Sequence, residues 1–296
     1  MSNKRLLVLL NPVAGKGKAK NKVFEMTEIF DRHGYSTTVV PTRPGDAIFE
    51  QITAEAPRHD RMVIIGGDGT LNHAVNGMLK NGVDLPVGYI PLGSTNDFGN
   101  SLGLSANVQT ACEKIAQGEG KPIDVGRFGD RYFIYIAATG MFTEASYATS
   151  QQMKNALGHS AYIMKGITTI SPAHISRYTV ETPEGTVDGE FIYGSVSNSL
   201  RAGGVFKLPK DMVEFDDGCF ELILAAAPKN IIDGTSLMNG IVRSDIKNRN
   251  FTVRKGERFV FRFEKPHGWT LDGEKGEETL ECEITVAKRA LNLIRD

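Results

Sequence analysis

The sequence predicts a two-part chain: an α/β N-terminal domain built on a doubly wound parallel sheet, then a β-sandwich-like C-terminal domain with inserted helices. Three observations carry this reading. The runs Leu6–Leu10, Arg61–Ile65 and Val87–Ile90 are apolar without alternation, as in strands buried on both faces, and stretches of helical spacing separate them. Beyond about Lys121 the rhythm changes to short strands divided by turns. The length, 296 residues, suits two domains at roughly 150 residues each. The boundaries read as 1–122 for the α/β domain and 123–288 for the β-rich domain, with a tail, 289–296, whose Leu291–Ile294 is expected to return to the first.

Taken in order, Leu6–Leu10 is the first strand and ends at a turn rich in Asn, Pro and Gly. Val23, Met26 and Phe30 then recur at helical spacing from Lys18 to His33, and Gly34 supplies the stop. Tyr35–Val40 is the second strand and Arg61–Ile65 the third; Leu71, Val75 and Met78 mark a helix face. Val87–Ile90 leads through the loop 91–97 to a helix with Val108, Cys112 and Ile115 on one side. Strands alternating with helices in this way imply βαβ units, whose ligands gather at the carboxyl ends of the strands. In the second half, Ile123–Phe128 and Tyr132–Ala138 form a hairpin across Gly129-Asp130. Helices are expected over about 143–156 and 161–171. Strands follow near Tyr178–Glu181, Val187–Ser197, Phe220–Ala225, Asn250–Val253, Arg258–Phe263 and Thr279–Val286.

Composition excludes several classes of function. The 34 basic and 35 acidic residues nearly cancel, which argues against a nucleic-acid partner, and 41% hydrophobic residues exclude a disordered chain. Cys112, Cys219 and Cys282 lie far apart without a CxxC pair, so neither a disulfide framework nor a zinc site can be read from them, and a reducing, cytoplasmic setting is expected. No stretch approaches the ~18 apolar residues of a membrane span, so membrane contact is expected to be peripheral, at the inner face. Glycine is the one excess, 32 residues, and most of it falls in loops that follow strands.

Three of those loops have the character of phosphate sites. Asn11-Pro12-Val13-Ala14-Gly15-Lys16-Gly17-Lys18 joins a strand to a helix, so its amides can approach an anion at the positive helix end, with Lys16 or Lys18 adding charge. It is not a Walker A motif, and alone it reads as a turn. Gly66-Gly67-Asp68-Gly69-Thr70 is sharper: its glycines let the chain pass close to a ligand, and Asp68 can hold a metal or orient a nucleotide. Pro91-Leu92-Gly93-Ser94-Thr95-Asn96-Asp97 offers hydroxyls, an amide and another carboxylate, although any one of Ser94, Thr95 or Asp97 could serve as an N-cap. Together the loops supply what phosphoryl transfer needs: amide donors, lysine charge and carboxylates for a divalent ion.

In this order, NPxxG, GGDGT and GSTNDF resemble the diacylglycerol kinase catalytic domain family, in particular the soluble bacterial lipid kinases, and the likeness runs over essentially the whole chain. The resemblance implies a fold of the NAD-kinase/diacylglycerol-kinase type. It implies ATP contacts at Asn11, Pro12, Val13, Ala14, Gly15 and Lys16, at Thr42 after the second strand, at Gly66, Gly67, Asp68, Gly69 and Thr70, and at Ser94. Asp68 and Asp97 match active-site positions of the family. Serine stands at position 94 where the family has threonine, and the hydroxyl is retained.

In the second domain, Leu271-Asp272-Gly273-Glu274 reads from composition as a turn between strands. The resemblance makes it the site of the catalytic carboxylates, with Asp272 as general base for the acceptor hydroxyl and Glu274 sharing that role or positioning a metal. Phe215-Asp216-Asp217-Gly218-Cys219-Phe220 reads alone as a solvated acidic turn. It resembles a family turn where a structural Mg2+ would be held by the Asp217 side chain and the carbonyls of Glu214 and Cys219, a hard-oxygen set. Lys165, otherwise a snorkelling helix residue, matches a family active-site lysine.

The implied reaction is transfer of the γ-phosphate from ATP to diacylglycerol, with Mg2+ required and a lipid acceptor as partner. Another lipid kinase (phosphatidylglycerol or a sphingoid base) is the nearer alternative. NAD kinase shares GGDGT, and a nucleotide-binding regulator without activity would be marked by loss of a carboxylate that this chain retains. Tyr162, Ile163, Met164, Ile167 and Ile170 read as core or as a membrane-facing stripe. A homodimer is the expected assembly on general grounds.

Overall fold

A computed structural model describes residues 4–17, 19–45, 47–141, 175–202 and 206–295. The chain divides into two compact units, residues 1–125 with 288–296, and residues 126–287. Lys18, the expected helices over 143–156 and 161–171, and with them Lys165 and the stripe from Tyr162 to Ile170, lie outside the described residues.

The first unit is organised by parallel strands. Strand β1 (Lys4–Leu10) lies between β2 (Tyr35–Pro41) and β3 (Arg61–Gly66), and β4 (Val87–Pro91) lies beside β3, all parallel. Burial on both faces explains the unalternated apolar runs. Leu6, Val8 and Leu10 share a core with Met26, Ile29 and Phe30 of α1 (Val23–Arg32) and with Ala111, Cys112 and Ile115 of α5 (Val108–Gln117). Leu7, Leu9, Met62 and Ile64, which point the other way, are buried as completely. Helices α2 (Ala47–Glu55) and α3 (Asp68–Lys80) pack together where Gly77 leaves room; a Cβ there would sit 2.9 Å from the Phe49 ring. The short α4 (Asp97–Ser101) precedes α5.

Two local differences from the sequence expectation have physical causes. The helix expected from Lys18 becomes α-helical only at Val23, because residues 14–17 and 19–22 form 3-10 turns and Gly15 and Lys16 take left-handed backbone angles. Helix α2 buries only Ile48 and Ile52, too few positions to write a helical period into the sequence.

The second unit is antiparallel. Strand β5 (Gly120–Phe128) starts in the first unit, and its residues 126–128 form the expected hairpin with β6 (Arg131–Phe133). β7 (Ile136–Gly140), β8 (Ser176–Thr182) and β9 (Gly185–Ser197) follow, then the two-residue pair β10 (Arg201–Ala202) and β11 (Phe206–Lys207). β12 (Phe220–Ala226), helix α6 (Ile231–Arg243), β13 (Phe251–Gly256), β14 (Arg258–Leu271) and β15 (Glu274–Ile294) complete the described chain.

A sandwich of two separate sheets is not what these strands make. Residues 185–191 of β9 pair with β8 and residues 193–197 with β7, while β14 pairs with β8 through 260–263 and with β7 through 269–271. Both β7 and β8 therefore bridge the same two long strands, and the sheet closes on itself. Aromatic residues fill the interior: Phe261 and Trp269 meet edge to face at 4.9 Å, Phe128 lies 5.2 Å from Trp269, and Tyr178 packs at a tilt against Phe191 and Phe263.

The last residues of β15 belong to the first unit, where Leu291, Leu293 and Ile294 are buried and Leu293 pairs parallel with Val87 of β4. Among the described residues no helix is long and apolar enough to cross a membrane.

Burial pushes the Cys112 and Cys282 thiols up to about 12, whereas Cys219 is partly exposed. At pH 8 a thiol reagent should therefore modify one cysteine rapidly in the native protein and three after denaturation. Rapid native labelling of Cys112 or Cys282, located by peptide mapping, would contradict this packing.

Candidate active site

In the first unit the loops after β1, β3 and β4 are tied to one another by main-chain hydrogen bonds. Asn11 N–H donates to the Ile65 carbonyl at 2.8 Å, Gly15 N–H to that of Leu92 at 2.8 Å, and Leu92 N–H to that of Gly66 at 2.7 Å. The Asn11 side-chain amide donates to Thr70 Oγ1 at 2.9 Å, and Thr42 N–H donates to the Leu10 carbonyl at 2.9 Å. Asn11, Gly15, the segment 66–70 and Thr42 are thus brought together; Pro12, Val13, Lys16 and Ser94 lie at the exposed edge and Ala14 is buried beneath.

Glycine is required here by close contact, with backbone at Gly93 and with the Thr70 side chain at Gly66. A Cβ on Gly93 would lie 2.5 Å from the Gly67 Cα, and one on Gly66 would lie 2.6 Å from Thr70 Oγ1. Gly15, Lys16 and Gly17 are consecutively left-handed, with φ of 60°, 57° and 76°. Such a run curls amide groups toward one side, and a lysine held in it is a local strain of the kind that collects at functional sites.

Asp68 begins α3, where the helix dipole favours a carboxylate. Its Oδ2 accepts the Asp97 N–H at 3.1 Å, so the two carboxylate residues are neighbours. The nearby negative charge of Asp68 adds to burial in pushing the Tyr89 phenol well above its ordinary value. No side chain caps the start of α3. Asn96, at φ 51°, closes the third loop by accepting the Gly93 N–H at 2.7 Å and donating to the Gly93 carbonyl at 3.0 Å. An Asn three residues after a glycine in a polar loop is the only sequence signal for this role.

In the second unit, Asp272 and Gly273 form a two-residue turn between β14 and β15, both with positive φ (51° and 86°), the conformation that an Asp-Gly pair favours. Asp272 is only 3% exposed. Its Oδ2 accepts the Ile134 N–H at 2.6 Å, and its Oδ1 accepts those of Tyr135 and Ile136, both at 3.0 Å. Its own N–H donates to the Ile136 carbonyl at 2.9 Å. These bonds explain why the single strand expected over 132–138 is divided into β6 and β7: the amides at the break turn to the carboxylate. Glu274, in contrast, is exposed.

The acidic turn at 214–219 lies elsewhere in the same unit. Asp217 Oδ1 accepts the Cys219 N–H at 2.9 Å, and its Oδ2 is 2.6 Å from Lys255 Nζ. The oxygen chemistry of Glu214, Asp217 and Cys219 suits Mg2+, but the arrangement does not: an ion at the usual ~2.0–2.1 Å from Oδ2 would meet the ammonium. Behind Lys255 is Glu221, whose carboxyl burial pushes up to about 8 while the lysine pulls it down. Neither Glu221 nor Lys255 carries a motif in the sequence. Nor does Asn198, which donates from its N–H to the Tyr135 carbonyl at 3.0 Å and from its side chain to the Phe215 carbonyl at 3.3 Å. A buried asparagine thus links the acidic turn to the segment that holds Asp272.

The family model described as the diacylglycerol kinase catalytic domain matches residues 5–128. The diacylglycerol kinase of Staphylococcus carnosus (strain TM300) is 33% identical over 222 residues, 75% of this chain and 72% of that protein. That of Bacillus subtilis (strain 168) is 29% identical over 276 residues, 92% of this chain and 90% of that one. The crystal structure of a diacylglycerol kinase from Bacillus anthracis str. Sterne superposes with a TM-score of 0.79 at 21% identity, covering 99% of this chain and 97% of that one, a likeness of fold.

Two outcomes follow from the geometry. Gly93→Ala should force the second and third loops apart and weaken binding of a fluorescent ATP analogue at least tenfold, about 1.4 kcal/mol; unchanged affinity would mean that the loop contact does not shape the site. Asp272→Ala strands three main-chain donors and should lower stability in urea by about 2–4 kcal/mol; a loss below about 1 kcal/mol would show that the turn holds without its carboxylate.

Proposed function

Because the chain belongs to the diacylglycerol kinase family, we propose that it transfers the γ-phosphate of ATP to the hydroxyl of diacylglycerol, giving ADP and phosphatidic acid. The observation that carries this reading is the set of three mutually bonded loops at the carboxyl ends of β1, β3 and β4, with amides, Lys16 and the Asp68–Asp97 pair on one edge. The parallel pairing of β1 to β4 supports it, since open parallel α/β sheets offer the carboxyl ends of their strands to ligands.

In this reading the phosphates lie along Asn11–Gly15 and Gly66–Thr70, with Ser94 and Thr42 at the edge, and Lys16 offsets phosphate charge. Mg2+ bound with the nucleotide supplies further charge neutralisation, and Asp68 and Asp97 carry the hard oxygens suited to it. As the acceptor oxygen forms its bond to the γ-phosphorus, the bond to the bridging oxygen breaks and ADP leaves with that electron pair. Positioning and electrostatics do most of the work, because the transferred group passes through a loose transition state.

The acceptor proton passes to the 271–274 turn. Asp272 is the base that the resemblance implies, and its main-chain cradle favours the anion and fixes its orientation. Its burial favours a second assignment, in which Asp272 sets the turn and the exposed Glu274 takes the proton. Exposed Ile231 and Ile232 at the start of α6, with Lys229 before them, suit contact with an anionic bilayer that holds the acceptor.

Transfer of labelled γ-phosphate from ATP with Mg2+ to a panel of diacylglycerol, phosphatidylglycerol, sphingosine and NAD tests the reaction. Label is expected in diacylglycerol; label in NAD alone would overturn the lipid-kinase reading. Glu274→Gln separates the two bases. A fall in kcat of about 10²-fold or more with unchanged melting assigns the proton to Glu274, and near-native kcat assigns it to Asp272.

A further inference from the structure

Lys255 and Glu221 are directly paired across β12 and β13, so the sheet register aims the lysine at the acidic turn. The ammonium there is 2.6 Å from Asp217 Oδ2 and 3.6 Å from Glu221 Oε1, and it donates to the Met212 carbonyl at 3.3 Å. Glu221 is 1% exposed, and neither of its carboxylate oxygens has a hydrogen-bond partner. Burial disfavours the charged form of such a carboxyl, a nearby cation offsets that cost, and loss of one partner of a buried ion pair is destabilising. Two carboxylates and a main-chain carbonyl are also the donor set of a hard divalent ion.

We propose that Lys255 is the resident cation of this turn, its ammonium paired with the same Asp217 carboxylate through which the resemblance implies a structural Mg2+, so that the chain holds the turn without a metal. The ammonium reaches the Asp217 carboxylate and the Met212 carbonyl at hydrogen-bond distance and Glu221 at ion-pair distance, and the lysine is anchored covalently to β13. A metal-held turn becomes a sheet-held one. The consequence reaches the 271–274 turn, because Phe215 in the same loop is bonded through Asn198 to Tyr135, whose N–H holds Asp272. The inference concerns an ion pair in the nucleotide-free protein and stands apart from the kinase reading.

Thermal melting without nucleotide or lipid provides the test, in EDTA and in 10 mM MgCl2. The native protein should melt at the same temperature in both. Lys255→Met, which keeps the stem and removes the charge, should melt about 5–10 °C lower in EDTA and recover most of that loss in MgCl2. Lys255→Arg should stay independent of the metal. A variant that folds only in MgCl2 would support the proposal equally. Magnesium stabilising the native protein as much as Lys255→Met would overturn it, as would a Lys255→Met protein indifferent to magnesium. If Lys255→Met fails to fold in either buffer, Glu221→Gln/Lys255→Met, relieved of the buried charge, decides in its place: magnesium should stabilise it through Asp217, and indifference to magnesium would overturn the proposal.

Discussion

The bond set around Asp272 organises much of the second unit. One carboxylate, in a left-handed turn residue, takes the N–H groups of three consecutive residues, and the first two of them, Ile134 and Tyr135, fall between strands. The chain over 131–140 is therefore split, and β7 is free to pair with both β9 and β14 after the break. That pairing closes the sheet around Trp269 and Phe261. A local hydrogen-bond requirement thus sets a global feature, because β7 bridges the same long strands that β8 bridges at their other ends.

The first unit solves a different problem, bringing several main-chain segments close without side chains between them. Gly67 against Gly93, and Gly66 against Thr70, are contacts that any Cβ would prevent. The hydrogen bonds among the loops run mostly from main chain to main chain, so their geometry is set by the strands they leave. The side chains that add chemistry, Lys16, Asp68 and Asp97, are then carried on a preformed edge rather than on independent loops.

This division explains what could be read from the sequence. The parallel strands were legible because burial on both faces removes alternation, and the glycine loops because few other residues tolerate those contacts. The 271–274 turn was legible as a turn, since Asp-Gly has a strong conformational preference. The main-chain partners of Asp272 were not legible: any residue at 134–136 offers the same N–H, so the identities there carry no signal. Asn198 and Glu221 sit in a strand-rich region where a single polar residue reads as an outward position, yet both are buried. Closure of the sheet was hidden for a related reason, because strand pairing between β7, β8 and the two long strands depends on register rather than on composition. Helix α2 was missed because it buries too little to be periodic.

The second unit holds its carboxylates in two ways, and the difference has chemical meaning. Main-chain amides hold Asp272: they are directional, they stabilise the anion, and they add no net charge. An ammonium pairs with Asp217 and Glu221 and offsets part of their charge. A carboxylate that must orient a reacting hydroxyl is better served by the first arrangement, since its full negative charge survives burial. A carboxylate whose task is to hold a loop is better served by the second, since neutralising it lowers the penalty of a dry site. By that criterion the acidic turn is scaffold, and the 271–274 turn is where this unit keeps its charge. The hydrogen-bonded path through Asn198 then joins the sheet-anchored turn to the segment that holds Asp272.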